Sequence, residues 1–443
     1  MTFTATELAT RVRAGEADPL RITEDALARI SAADGVLGAF RTVRGKAAQA
    51  EAAALRDRPD LAELPLAGVP VAVKDIAAIA GESVTHGSLA TSTEPMDADH
   101  LIVRRLRDSG AVIVGITRVP ELCIWPMSDD PKGVARNPWA PAYSAGGSSG
   151  GSGSAVAAGM VPIAHGTDGM GSVRLPAAIC GLVGIKPGSG VVGDPDALSW
   201  FGMSTHGCLA TTVADAALML SVLADRTDLA EVAEPVAPLR IAVSTRAPLG
   251  MPVTRRIRTT VTAAAAELAD EGHEVTRATP DYGVTLVGGM AARWLAGPAE
   301  QADGLDLDLL QRRTRAHVAV GRMLGRAGLI RPRTVERWQR RAARFFEEYD
   351  VLLTPTFATA PPKARAWHRR GWLPNVLTSA RFAPFTGPWN LAGFPVMTVP
   401  AGRDASGLPL GLQLVAAPGQ ENLLCSVAAQ WERISPWPRT VAD

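Results

Sequence analysis

The chain has 443 residues, with 45 Lys plus Arg against 44 Asp plus Glu and a formal charge of +1. Hydrophobic residues make up 47% and charged residues 20%, so there is enough apolar surface to offset the entropy of ordering, and a disordered chain is excluded. The near-zero charge also excludes a protein organised around phosphate neutralisation, which needs a basic surplus.

In chain order, residues 5–57 are Ala-, Glu- and Arg-rich with helical spacing, broken near Pro19 and Gly35, and predict two or three helices. Leu66 to Asp75 is a short apolar run with the look of a buried strand. His100 to Ser109 reads as a helix closed by Gly110, and Ala111 to Gly115 as another buried strand. That order suggests a parallel sheet covered on both faces. Residues 126–154 are a Pro-, Ser- and Gly-rich loop leading into a small-residue helix, Ala155 to Met160. Ile163 to Asp168 and Gly181 to Pro187 follow as strands, and Thr212 to Asp225 as an amphipathic helix. Leu239–Ser244, Val253–Glu271 and His273–Thr279 form a βαβ-like unit. Residues 305–348 are helical and very basic, with nearby acids offering i,i+4 pairing on a solvated face. Tyr349–Pro355 and Pro395–Pro400 are late strands, and the final helix covers Glu421 to Arg433.

The start of the chain has Arg11 and Arg13 but no apolar segment of the secretory kind, and no run of 18 apolar residues escapes interruption. A cytoplasmic location is expected. Cys123, Cys180, Cys208 and Cys425 form no CxxC pair, which fits four buried thiols better than a disulfide scaffold. The seven histidines include no HExxH, so no metal is expected.

Only five of the 45 basic residues are lysines: Lys46, Lys74, Lys132, Lys186 and Lys363. Arginine serves nearly every surface role but cannot give up its proton, so each lysine marks a place where that difference could matter.

The most unusual stretch is Ser144-Ala-Gly-Gly-Ser148-Ser149-Gly-Gly-Ser152-Gly-Ser154. A flexible linker fits badly, since the run feeds at once into an apolar helix. A phosphate loop would need a lysine that is missing here. Gly146 to Gly150 satisfies the GxSxG of a nucleophile elbow, which would make Ser148 the nucleophile of an α/β-hydrolase-type esterase; the prolines at 138 and 141 disfavour the buried strand such an elbow requires. The remaining reading joins this run to a second glycine-flanked serine, Gly166-Thr-Asp168-Gly169-Met170-Gly171-Ser172-Val-Arg174. Glycines there let backbone N–H groups converge on an oxyanion. A serine nucleophile needs a base. His165 is close in sequence, but Asp168 is too local to orient it; Lys74, in an apolar strand, is the best placed lysine.

These segments resemble the amidase signature family. The resemblance is carried by Gly68 to Asp75, the run Arg136 to Gly151, Gly166 to Pro187, Leu352 to Thr356, Phe385 to Pro395 and Gly407 to Val415. It implies one large α/β domain, 1–443, around a mixed, mostly parallel sheet covered by helices on both faces, where length alone suggests two to three domains. Its expected parts are N-terminal helices to about 60, a signature core over 61–225, a variable region over 226–345 and a C-terminal return over 346–443. It also implies a cofactor-free hydrolysis of a carboxamide to an acid and ammonia or amine. Lys74 would be the base, Ser148 a serine after a cis peptide, and Ser172 the nucleophile carrying the acyl group. The backbone N–H groups of Gly169, Met170, Gly171 and Ser172 would form the oxyanion hole. Asp168 and Arg174 are expected to pair and brace the loop, and Lys186, whose following Pro187 marks a strand end, is read as structural.

A lysine base must be neutral, and lowering its pKa from about 10.4 to neutrality costs about 4 kcal/mol, for which burial in the apolar strand is the expected source. Met127, Met203 and Trp389, with Trp200, are expected to line an apolar or aromatic acyl pocket. Beyond a small-molecule amide and a second copy of the chain in a homodimer, no partner is expected, neither nucleic acid nor membrane. A second reading is the glutaminase subunit of a tRNA-dependent amidotransferase. This chain departs from the family pattern at Met170, usually Gly, and at Ile76, Ile116-Thr-Arg118 and Gly207 to Thr211. If Met170 required a positive φ, it would cost about 1–2 kcal/mol.

Overall fold

The apolar runs become strands that share one sheet. The protein is described by a computed structural model, covering residues 3–193, 199–233 and 238–442. In chain order the strands are β1 (Phe40–Val43), β2 (Pro70–Lys74), β3 (Val112–Thr117), β4 (Asp129–Asp130), β5 (Gly133–Val134), β6 (Ile163–Asp168) and β7 (Val183–Lys186). They continue with β8 (Thr205–Ala210), β9 (Arg240–Val243), β10 (Glu274–Arg277), β11 (Val351–Pro355), β12 (Val396–Arg403) and β13 (Pro409–Val415). Eleven of them form one sheet in the order β1-β3-β2-β6-β8-β7-β12-β13-β11-β9-β10, while β4 and β5 pair separately.

The sheet is mixed, as expected, but not mostly parallel. Parallel pairing is confined to β3-β2-β6 and β11-β9-β10. The other six of its ten pairings are antiparallel. The helix-then-strand pattern correctly marks crossover units such as β2–β3 and β9–β10, which force parallel pairing. Between them, the centre is built from strands that return directly, such as the β12–β13 hairpin turned at Asp404 to Leu408.

The N-terminal helices Ala5–Arg13 and Pro19–Leu37 start where the local chemistry says they should. Thr4 and Glu7 form a reciprocal capping box, and Asp18 caps a helix with proline at its first position. The glycine-rich run is a correction to the expected loop. Helix begins at Gly150 and runs to Ala157 with every residue buried, because small side chains let its backbone lie close against neighbouring strands. The helix Val213–Ala224 is not amphipathic: it is buried on nearly every side, with Asp215 accepting hydrogen bonds from the Ala5 and Thr6 amides.

The basic block is two helices, Arg312–Arg326 and Pro332–Glu348. Its ion pairs mostly reach preceding loops (Arg315–Asp308, Arg322–Asp303, Arg341–Asp281), with one i,i+4 pair, Arg340–Glu336, among the described residues. Arg313 is not on the solvated face at all. It is fully buried, 3.0 Å from Asp129 and donating to Asn375 Oδ1 at 3.0 Å.

Candidate active site

Strands β2 and β6 are parallel neighbours, so their C-terminal ends lie side by side. This brings Lys74, the last residue of β2, to Thr167 near the end of β6. Lys74 is completely buried, and its Nζ lies 2.7 Å from Thr167 Oγ1, 3.2 Å from the Thr167 carbonyl and 2.8 Å from Ser148 Oγ. Burial pushes the Lys74 pKa down, against the opposing pull of Cys123 and Asp168. A neutral amine can give its two N–H bonds to the Thr167 oxygens and turn its lone pair to the Ser148 hydroxyl.

Ser148 follows a cis peptide bond from Gly147. The turn is pinned from outside: Ser128 Oγ donates to the Ser148 carbonyl at 3.1 Å and accepts from the Gly150 amide at 3.0 Å. Glycine is required at 147 because a Cβ there would come within 2.4 Å of the Trp125 carbonyl oxygen. No strand leads directly into Ser148, which removes the nucleophile-elbow reading.

Ser172 lies in the turn after β6, held by an ionic knot. Asp168 accepts from the Gly171 and Val173 amides at 2.6 and 3.1 Å and from Arg174 Nε and Nη2, both at 2.9 Å. Burial alone would raise the Asp168 pKa, but Arg174 and Asn390 hold it well below the usual carboxylate range. Arg174, fully buried, also donates to the Thr386 carbonyl at 3.0 Å, to Gln413 Oε1 at 2.8 Å and to Asn390 Oδ1 at 2.5 Å. The supporting pair expected from the sequence is therefore the hub of a larger network.

Ser148 and Ser172 meet at one small cavity, which also touches Thr167, Gly169 and Cys123. Ser172 additionally opens onto an apolar cavity of about 280 Å³ lined by Ile124, Trp125, Met170, Trp200, Met290 and Trp294 among others. No described residue lining it is ionisable.

Three expectations need correction here. Met127, Met203 and Trp389 do not line either cavity; they are buried in the aromatic core cluster beneath, and of the expected pocket residues only Trp200 reaches the cavity. Met170 carries no positive φ, so the strain that a positive φ would bring does not arise, and its side chain forms part of the apolar wall. The Gly171 amide is already committed to Asp168, which leaves the Gly169, Met170 and Ser172 amides as the candidate oxyanion donors.

Lys186, also buried, donates to the Pro187 carbonyl at 2.7 Å and meets neither serine. The sequence reading missed Thr167, whose place inside Gly-Thr-Asp was its only signal. It also missed Cys123, whose thiol lies against Lys74 and Ser148 and is pushed up in pKa by burial. All four cysteines are buried and free.

The amidase family model matches residues 21–425. A putative amidase of Mycobacterium tuberculosis is 40% identical over 423 residues, covering 93% of this chain and 91% of its own. An acylamidase of Rhodococcus erythropolis is 32% identical, covering 98% and 96%. Among solved structures, a 6-aminohexanoate cyclic dimer hydrolase superposes with a TM-score of 0.86 at 30% identity over 98% of this chain and 97% of that one. The peptide amidase of Stenotrophomonas maltophilia superposes with a TM-score of 0.77 at 29% identity over 98% and 96%. The chain belongs to the amidase family whose signature motifs its sequence resembles, and it is a hydrolase of amide bonds.

Proposed function

We propose that the protein hydrolyses a carboxamide through an acyl-enzyme on Ser172, with Ser148 as proton relay and Lys74 as base. The observation that carries this reading is the 2.8 Å separation of Lys74 Nζ from Ser148 Oγ, at a cavity that Ser172 shares. Ser172 Oγ attacks the carbonyl carbon, its proton moves to Ser148 and the Ser148 proton moves to Lys74. The Gly169, Met170 and Ser172 amides are the donors available to the developing oxyanion. As the C–N bond breaks, the proton returns from Lys74 through Ser148 to the leaving nitrogen. Water then attacks the acyl-enzyme by the same relay and releases the acid.

The chain's own groups complete this chemistry without a metal or organic cofactor. The absence of ionisable side chains around the apolar cavity favours an uncharged, apolar acyl group. It also weighs against the glutaminase reading, because the ammonium and carboxylate of glutamine would find no counter-charge there. No described helix is long and apolar enough to cross a membrane, and four free thiols fit a reducing cytoplasm.

A fluorophosphonate probe tests the nucleophile: labelling is expected at Ser172 in the wild type and lost in Ser172→Ala, with hydrolysis of every amide substrate falling by about 10⁴-fold or more. Labelling at Ser148, or undiminished hydrolysis by Ser172→Ala, would overturn the assignment.

A further inference from the structure

The two spaces that meet at Ser172 differ in both size and polarity. The large apolar one has a volume of about 280 Å³ and touches Ser172 and Met170 but not Ser148. The small one touches both serines, and its accessible volume is about 10 Å³, walled by Ile76, Cys123, Thr167, Trp200, Ser204 and Gln301. That is room for the centre of about one water-sized molecule.

Trp200 forms part of both spaces. Its ring packs directly on the turn before Ser172: a Cβ on Gly169 would lie 3.1 Å from Trp200 Cε3. The indole Nε1 donates to Gln301 Oε1 at 3.3 Å, which ties the ring to the opposite wall.

The leaving nitrogen must be within reach of the hydroxyl that protonates it. On the acyl-enzyme reading above, that hydroxyl is Ser148, and Ser148 borders the small chamber alone. The acyl group is thus left to the large apolar space, and the leaving group to a polar chamber of water size. We infer that the enzyme is a primary-amide hydrolase: it releases ammonia from uncharged, apolar carboxamides and excludes N-substituted amides at the small chamber.

The chemistry of that chamber fits an NH₂ group. Thr167, Ser204 and Gln301 are polar residues of its walls, while an N-methyl or N-aryl substituent would have to displace Trp200 or Gln301. Reaction balance is unchanged by this assignment: one water is consumed, the C–N bond is cleaved and ammonia leaves with the proton that Ser148 delivers.

The test is a matched panel in which one apolar acid is presented as its primary amide, N-methylamide and anilide, with kcat/KM measured for each on the full-length protein. The primary amide should exceed the N-methylamide by at least about 30-fold, in the range that a single misplaced methyl group produces, and the anilide by more. Gln301→Ala, which trims the chamber wall, should narrow the gap between primary and N-methyl amides. Trp200→Ala should narrow it too, but that variant also disturbs the acyl wall, so Gln301→Ala is the cleaner probe. Equal kcat/KM across the panel would overturn this inference and leave amide hydrolysis standing. Turnover of none of the three, in protein whose Ser172 still takes the fluorophosphonate, would overturn both.

Discussion

Strands β2 and β7 end alike. Each is a short apolar run closed by a lysine, Lys74 and Lys186, and both lysines are essentially without solvent exposure. Burial pushes both pKa values down, Lys186 to about 7. What differs is the partner. Lys74 faces the Ser148 hydroxyl, which has a proton to give, whereas Lys186 donates to the Pro187 carbonyl, which has none. Desolvation favours the neutral form of either lysine, and only Lys74 lies against a serine hydroxyl, which is why the proposed mechanism gives it the role of base.

The largest effect should separate the two directly. Lys74→Met should lower kcat/KM by about 10²–10⁴-fold, the usual contribution of a general base. Lys186→Met should stay within about threefold of the wild type. Comparable losses in the two variants would break the distinction.

A second test asks whether the Ser172 turn depends on its ionic knot. Arg174→Met strands the buried Asp168 carboxylate and should cost about 3–5 kcal/mol of stability, read from urea unfolding, together with loss of Ser172 labelling. A variant with unaltered unfolding would show that the backbone alone holds the turn.

The smallest effect concerns pH. Above about 7 the folded chain keeps Lys186 neutral, while the unfolded chain still protonates it up to about 10.4. The unfolded state therefore binds more protons in that window, and this lysine makes stability rise with pH from about 7 upward and level off below. Buried thiols such as Cys180 and Cys208 have raised pKa values and oppose the trend once unfolded thiols ionise, near 8.5. Between pH 7 and 8.5 the wild type should gain about 1–2 kcal/mol relative to Lys186→Met, measured as the difference between urea unfolding curves. Lys74 acts in the same sense but is present in both proteins, so its share cancels. Parallel stability profiles would mean that Lys186 is charged in the folded state.

The distinction between the two lysines was legible in the sequence to an instructive degree. Pro187 after Lys186 marked a strand end, and the two glycine-flanked serines pointed to Lys74. The strands built on apolar runs, β2 and β3, were readable for the same reason they are buried. β8, which mixes threonine, histidine and glycine into Thr205–Ala210, carries no period to read. The antiparallel centre of the sheet depends on how distant strands return, which local order does not encode.

The apolar cavity beside Ser172 was the least legible part. Met127, Met203 and Trp389 have the right chemistry to line it, but an apolar side chain looks the same in a sequence whether it faces a cavity or a core. The cavity wall comes instead from segments spread from Ile124 to Pro384, brought together only by packing. Arg313 failed for the opposite reason: within a run of solvated arginines, nothing local marks the one that turns inward to Asp129.

The Arg174 guanidinium has a consequence for the timing of synthesis. Its acceptors on Asn390 and Gln413 lie 216 and 239 residues later in the chain. While a ribosome is still making the second half of the protein, Lys74, Ser148 and Ser172 all exist and Asp168 can already bind Arg174, yet the turn that carries Ser172 lacks these distant anchors. On the proposed mechanism, the Ser172 turn is fully braced only once the last strands are made, and a chain cut before Asn390 would lack both of these acceptors.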